Sequence, residues 1–254
     1  METHHDFAKM AMEAKKPVLV EKPVASSAGE LESLKACSEE HNVAIMPGHN
    51  YIYEPWFDRT KSIIDDGDLG TIVATYVMFN IHHPPEFTGR DSMQGVIRQI
   101  LTHHAYMSIY LMGGPPACVS AFASCLDNGP VEKENVAMVN MQMPNGALAH
   151  LQANFAADDH GSDPWSVYVK VIGTKGTARY SYNDWVINKP HIIHSHTYVP
   201  YPHTIASEVR FFVEEVVGKG ARPLSTIDDA LACQNILDAV EKSIADGTHV
   251  PLVT

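Results

Sequence analysis

Hydrophobic positions recur along this chain in two different rhythms. In residues 4–15, HHDFAKMAMEAK, the apolar side chains Phe7, Met10, Ala11 and Ala14 fall at helical spacing, which predicts an amphipathic helix. PVLVEKPV, residues 17–24, is instead a short apolar run without alternation, the pattern of a parallel strand covered on both faces. Residues 26–41, SSAGELESLKACSEEH, read as a helix capped by Ser26 or Ser27, with Leu31, Leu34 and Cys37 on its buried side. NVAIMPGHN, residues 42–50, is a second buried strand. Helix, strand, helix, strand is the tail of a wound α/β sheet.

Downstream the rhythm changes. A helix over 55–66 leads through the turn GDLG into TIVATYVMFNI, residues 71–81, a long β-branched segment expected to open a different sheet. Residues 94–112 carry apolar positions at helical spacing and stop at Gly113-Gly114. Alternating strands of antiparallel type follow at 117–126, 135–143, 147–156, 166–172 and 177–182, with GTKG as a hairpin loop. Helices over 204–218 and 227–246 close the chain, the last ending at Gly247. The expected fold class is α/β plus α+β: the end of a parallel sheet in residues 1–50, then a large open, mainly antiparallel sheet in 51–254 with helices on one face. Two strands and two helices bury too little surface to offset their ordering entropy, so the first part is not expected to stand alone.

Composition narrows the classes. A formal charge of −12 over 254 residues, with no run of Lys or Arg, argues against a nucleic-acid or anionic-membrane surface. No stretch approaches the roughly 18 apolar residues of a membrane span, and the N-terminus has acidic and His residues where a signal peptide needs a basic and then apolar run. A soluble, cytoplasmic protein is the expectation. The 4 cysteines form no CxxC pair and read as free thiols. The 15 histidines cluster but show no HExxH, and no metal is expected.

The sharpest chemical signal is Lys22 in Glu21-Lys22-Pro23. A lysine at the carboxyl end of a buried parallel strand faces the crevice where such sheets bind ligands. Partial desolvation there lowers its pKa toward the range useful for acid–base work. No G-x-G-x-x-G occurs anywhere in the chain.

Taken in order, EKP at a strand end, the GHN strand, DDGDLGTIV, a helix ending Leu-Met-Gly, VIGTKGTARY and a terminal Pro-Leu-Ser…Asp-Ala-Leu helix resemble the Gfo/Idh/MocA family, the glucose–fructose oxidoreductase and inositol dehydrogenase group. The resemblance spans essentially the whole chain. It implies a Rossmann domain binding NAD or NADP, and a second domain whose open sheet forms a substrate floor and a homo-dimer or homo-tetramer interface. It implies hydride transfer at a secondary hydroxyl of a sugar, cyclitol or related polyol.

By that resemblance Lys22 hydrogen-bonds the reacting hydroxyl, while Glu21 and Pro23 shape the nicotinamide pocket. The family's second signature, an Asp four residues before a His on one helical face, falls on Gln99 and His103 when counted back from Gly113. His104 fits if Gly114 is the anchor, with Ile100 then in the Asp place. Glutamine can orient a hydroxyl but cannot raise the basicity of His103 as a carboxylate would. Asn50 and Tyr53 match a segment beside the family's active site, with Tyr51 and Ile52 where the family often has Arg. His104, His160 and Trp165 are further candidates to line the sugar side of the pocket.

The family's phosphate-binding turn lies upstream of the first helix here. Met1 therefore reads as an internal methionine of a longer enzyme, and the 254 residues alone are expected to be inactive. The alternative is a cofactor-free relative, either a sugar-binding and oligomerisation module or a lyase using Lys22 and His103 without hydride transfer.

Overall fold

The structure is a computed structural model and describes residues 3–91, 93–157, 166–181, 184–189, 192–197 and 202–252. In chain order the elements are α1 (His4–Glu13), β1 (Val18–Glu21), α2 (Ala28–His41), β2 (Ile45–Gly48), a 3₁₀ turn (Asn50–Tyr53), α3 (Pro55–Asp65), β3 (Ile72–Asn80) and α4 (Pro85–Thr88). A π turn (Ile97–Leu101) leads into α5 (Thr102–Met112), followed by β4 (Cys118–Ser124), β5 (Val136–Gln142), β6 (Leu148–Asn154), β7 (Ser166–Gly173) and β8 (Gly176–Ser181). Then come β9 (Asp184–Lys189), β10 (Ile192–Thr197), α6 (Pro202–Phe211), a second π turn (Phe212–Val217), α7 (Ile227–Asp246) and β11 (Val250–Pro251). No helix among the described residues is long and apolar enough to cross a membrane.

Two compact units divide the chain: residues 1–58 with 201–235, and residues 59–200 with 236–254.

In the first unit β1 and β2 pair in parallel, Val18 opposite Ile45 through Glu21 opposite Gly48. Val20 and Ile45 join Met12, Leu31, Leu34, Cys37 and Ala230 in one apolar core. The start of α2 follows from local chemistry. The Ser27 hydroxyl accepts from the Glu30 backbone N–H at 3.3 Å, and the Glu30 carboxylate accepts from the Ser26 N–H at 2.7 Å. This reciprocal pair satisfies two donors that a helix start leaves orphaned. One sequence expectation reverses here. α1 buries Ala8 and Met12, and Phe7 and Met10 face solvent, because the contact with β1 and α2 falls on the other side of the helix.

In the second unit the sheet runs in the order β10-β9-β8-β7-β3-β6-β5-β4-β11. Every neighbouring pair among the described strands is antiparallel except β3 with β6. Alternate residues of the central strands (Val77, Phe79, Val139, Leu151, Val169) are buried, as helices α5 and the first π turn require when they pack on β3 and β6. Tyr76, Phe122, Met138 and Leu148 are exposed on the opposite face.

The GDLG turn and the GTKG hairpin, far apart in sequence, close on each other. The Leu69 carbonyl accepts from the Lys175 N–H at 2.9 Å, and the Thr71 carbonyl from the Thr174 N–H at 3.0 Å. A Cβ at Gly173 would stand 2.1 Å from the Leu69 carbonyl oxygen, so this approach requires glycine. The sequence showed neither β9, β10 and β11 nor the short α4.

Candidate functional site

The first unit gathers its polar groups at the carboxyl ends of β1 and β2. Glu21 ends β1 opposite Gly48, and the Lys22–Pro23 peptide that follows is cis. A Cβ at position 48 would stand 3.0 Å from both the Glu21 Cα and the Val20 carbonyl oxygen, and 3.1 Å from Glu21 Oε2. Glycine at 48 thus lets the two strand ends close, with the Glu21 carboxyl against the bare backbone. From α1, His4 Nδ1–H donates to the Pro23 carbonyl at 2.8 Å, a bond that fixes the ring tautomer and pins the turn after the strand.

The charges here are tuned by burial. The Lys22 ammonium is pushed down from the usual lysine range by desolvation, against an opposing pull from Glu21. Glu21 is pushed up by desolvation, partly offset by Lys22 and His4. His49, immediately after β2, is buried, and desolvation followed by the Lys22 charge brings it to about 3. It stands as a neutral imidazole at physiological pH.

Helix α6 packs against the 3₁₀ turn in this unit. The Asn50 side-chain amide donates to the Thr204 hydroxyl. The Ser225 hydroxyl donates to the Pro47 carbonyl at 2.7 Å, so its single hydrogen is used there. The bond between Tyr53 and Ser225 Oγ must then be donated by the Tyr53 hydroxyl, which in turn accepts from the Ser225 N–H at 3.1 Å. With its ring also against Phe211 at 5.1 Å, Tyr53 pins the end of β2.

Two carboxyls in this unit stand out. Glu54 is 0% exposed, and neither of its carboxyl oxygens has a hydrogen-bond partner among the described residues. Burial lifts it to about 7. Its backbone carbonyl meanwhile starts α3, accepting from the N–H groups of Phe57 at 2.9 Å and Asp58 at 3.3 Å. Glu208 on α6 is 4% exposed, and burial followed by the charge of Glu21 lifts it to about 8. Glu208 is thus held as a neutral carboxylic acid at physiological pH, by desolvation first and by the nearby Glu21 second.

In the second unit, Gln99 lies within the π turn and His103 in the first turn of α5. π turns inside helices recur at functional sites because they re-aim side chains. His103 is 9% exposed. His104 is 1% exposed, sits edge-on to Phe79 with ring centroids 6.3 Å apart, and is brought by burial to about 3. That environment keeps His104 a buried, neutral imidazole. His160 and Trp165 lie outside the described residues.

Sequence reasoning passed over His49, Glu54, Thr204 and Glu208. Only His49 had a signal, its place beside Asn50 in GHN. Thr204 and Glu208 were hidden by an inversion: α6 buries them while Ile205 and Val209, four residues apart, are exposed.

Comparison with known proteins agrees with this layout. A family model described as GFO/IDH/MocA C-terminal domain matches residues 57–179, and one described as oxidoreductase family, NAD-binding Rossmann fold, matches residues 1–49. The uncharacterized oxidoreductase YrbE of Bacillus subtilis (strain 168) is 27% identical over 263 residues, covering 98% of this chain and 75% of that protein. Inositol 2-dehydrogenase of Rhizobium meliloti (strain 1021) is 22% identical, covering 99% of this chain and 78% of its own. The structure of a levoglucosan dehydrogenase in complex with NADH and levoglucosan shares the fold with a TM-score of 0.85 at 21% identity, over 100% of this chain and 78% of that one.

Proposed function

Since the chain belongs to the Gfo/Idh/MocA oxidoreductase family, we propose that it serves NAD(P)-dependent hydride transfer at a secondary hydroxyl of a sugar, cyclitol or related polyol. The observation that carries this reading is Lys22: a lysine following the end of a parallel strand, its ammonium pushed below the usual lysine range by desolvation. The roles come from the family resemblance: Lys22 as the hydrogen-bond donor to the reacting oxygen, and His103 as the acceptor of the hydroxyl proton. Gln99, uncharged, orients a hydroxyl through its amide. The amide oxygen of Asn50, the end not given to Thr204, receives another.

The residues present fit the nicotinamide end of a dinucleotide. Two parallel strand ends are drawn together at Gly48, and Glu208 carries a buried carboxyl oxygen without a hydrogen-bond partner among the described residues. Glu21, Lys22 and Pro23 would border the ring, which when bound supplies the hydride acceptor. No residue among the 254 forms a G-x-G-x-x-G turn, so the pyrophosphate is assigned to none of them. The exposed apolar face of the large sheet, carrying Tyr76, Phe122, Met138 and Leu148, suits a second copy of the chain and supports a homo-oligomer.

The test assays the full-length gene product against inositols, sugars and anhydrosugars with NAD+ and NADP+, following reduced-nicotinamide absorbance. Turnover on one of these polyols is expected, and Lys22→Ala lowers kcat/KM by about 10²-fold or more. Absence of turnover across the panel, or an unchanged Lys22→Ala enzyme, overturns the reading.

A further inference from the structure

The segment that leads into Gln99 and His103 is gripped by three consecutive residues, Lys133-Glu134-Asn135, in the connection before β5. Lys133 Nζ donates to the carbonyls of Thr88 at 3.3 Å, Arg90 at 2.9 Å and Met93 at 2.7 Å. An ammonium has three hydrogens, and here three carbonyls of one irregular stretch take them. Glu134 holds the next residues. Its backbone carbonyl accepts from the Val96 N–H at 3.0 Å, and its Oε1 accepts from the Ile97 N–H at 3.3 Å. Asn135 closes the connection on itself: its side chain accepts from the Leu126 N–H at 2.9 Å and donates to the Leu126 carbonyl at 2.6 Å.

Gly95 makes the Glu134 contact possible. A Cβ there would lie 1.9 Å from Glu134 Oε1 and 2.1 Å from its carboxyl carbon, so the carboxylate occupies the space a side chain would take. The Gly95 carbonyl then accepts from the Gln99 N–H at 3.0 Å. Glu134 is therefore one bonded residue removed from the backbone of Gln99, and its negative charge stands at the start of the helical segment, where the peptide dipoles favour it. The far side of the same π turn is held by Arg98, whose guanidinium donates to Glu241 at 2.7 and 2.5 Å and to Asp238 at 2.6 Å. A π turn is a rare single-turn insertion in helices, and it keeps its shape here between two sets of charge-assisted bonds.

We infer that Glu134 is a positioning residue for the Gln99–His103 pair: its carboxylate, seated against Gly95, sets the start of the π turn and thereby the direction of both side chains. Lys133 supports it by fixing the preceding stretch. The inference rests on the proposed roles of Gln99 and His103, and it is tested with a readout that does not.

In the full-length gene product, Glu134→Ala, Glu134→Gln and Gly95→Ala are compared by steady-state kinetics and by hydrogen–deuterium exchange of the peptide spanning residues 95–103. Glu134→Ala is expected to lower kcat about tenfold with KM little changed, the effect of losing a helix-start acceptor on groups used in the transition state. Exchange across 95–103 should quicken by a similar factor. Glu134→Gln keeps a side-chain oxygen for the Ile97 N–H and should recover most of both properties. Gly95→Ala, which evicts the carboxylate, should match Glu134→Ala.

Exchange in Glu134→Ala equal to wild type overturns the inference whatever the enzyme's activity. So does a Glu134→Gln protein as impaired as Glu134→Ala. If Glu134→Ala does not fold, Gly95→Ala and Glu134→Gln decide the matter by the same two readouts. An inactive wild type with quickened exchange in Glu134→Ala strikes the functional reading alone, and leaves the hold on the π turn supported.

Discussion

Replacing Glu54 by glutamine should make the protein more stable at alkaline pH and leave it unchanged at acidic pH. The carboxyl is fully buried, has no hydrogen-bond partner among the described residues, and is lifted by burial from 4.5 to about 7. A carboxyl whose pKa is higher in the folded protein than in the unfolded chain binds its proton more tightly when folded. Its contribution is thus fully present below pH ~4.5 and is lost as pH rises through about 7. Lifting the group from 4.5 to about 7 corresponds to roughly 3 kcal/mol.

The assay is urea unfolding of wild type and Glu54→Gln at intervals from pH 4.5 to 9. The two curves should coincide at the acid end. By pH 8 the variant should unfold at a midpoint about 1 M higher, given a dependence of a few kcal/mol per molar urea for a protein of this size. Glu208, raised by burial and by Glu21, changes stability in the same direction, but it is present in both proteins and cancels from the difference. Parallel curves at every pH, or a variant weaker at pH 8, would refute the argument that this carboxyl is held neutral in the fold.

Other consequences are equally direct. Gly48→Ala places a methyl group 3.0 Å from the Glu21 Cα and the Val20 carbonyl oxygen, and should cost about 1–3 kcal/mol in urea unfolding, as overpacking does. Tyr53→Phe removes the hydroxyl that accepts from the buried Ser225 N–H and donates to its Oγ, so a loss of about 1–3 kcal/mol is expected by the same measurement. Phe122 is 77% exposed on the open sheet face, and Phe122→Asp together with Met138→Asp should lower the mass seen by light scattering if that face joins copies of the chain.

The parts of this molecule legible in its sequence are those where one periodicity maps onto one buried side. β1 and β2 read correctly because their short apolar runs lack alternation, and α2 because Leu31, Leu34 and Cys37 share one side and Ser27 caps it. The hairpin strands β4 to β8 read correctly because alternation and turn residues agree. Reading failed where tertiary context overruled local pattern. Nothing in TIVATYVMFNI announces that β3 lies parallel to β6, a pairing made across two intervening helices and a hairpin. The π turn at Ile97–Leu101 is invisible to a 3.6-residue period. Of the candidate site, Lys22, Gln99 and His103 were proposed through an ordered series of short motifs. The buried carboxyls of Glu54 and Glu208 were not, because an acidic residue in a helical stretch is ordinarily a solvated one.

Helix α6 is put on inside out. Thr204 and Glu208 face the protein, while Ile205, Val209, Val213 and Val217 make an oily ridge along α6 and the turn that follows it. Such an element is retained by a few directional polar bonds and by a proton on Glu208, with less than the usual help from water expelling its greasy side. Mild alkali should therefore peel it away before the rest of its unit melts, and the peeled state would be sticky. Preparations of this protein should cloud first on storage at high pH, well short of any bulk denaturation.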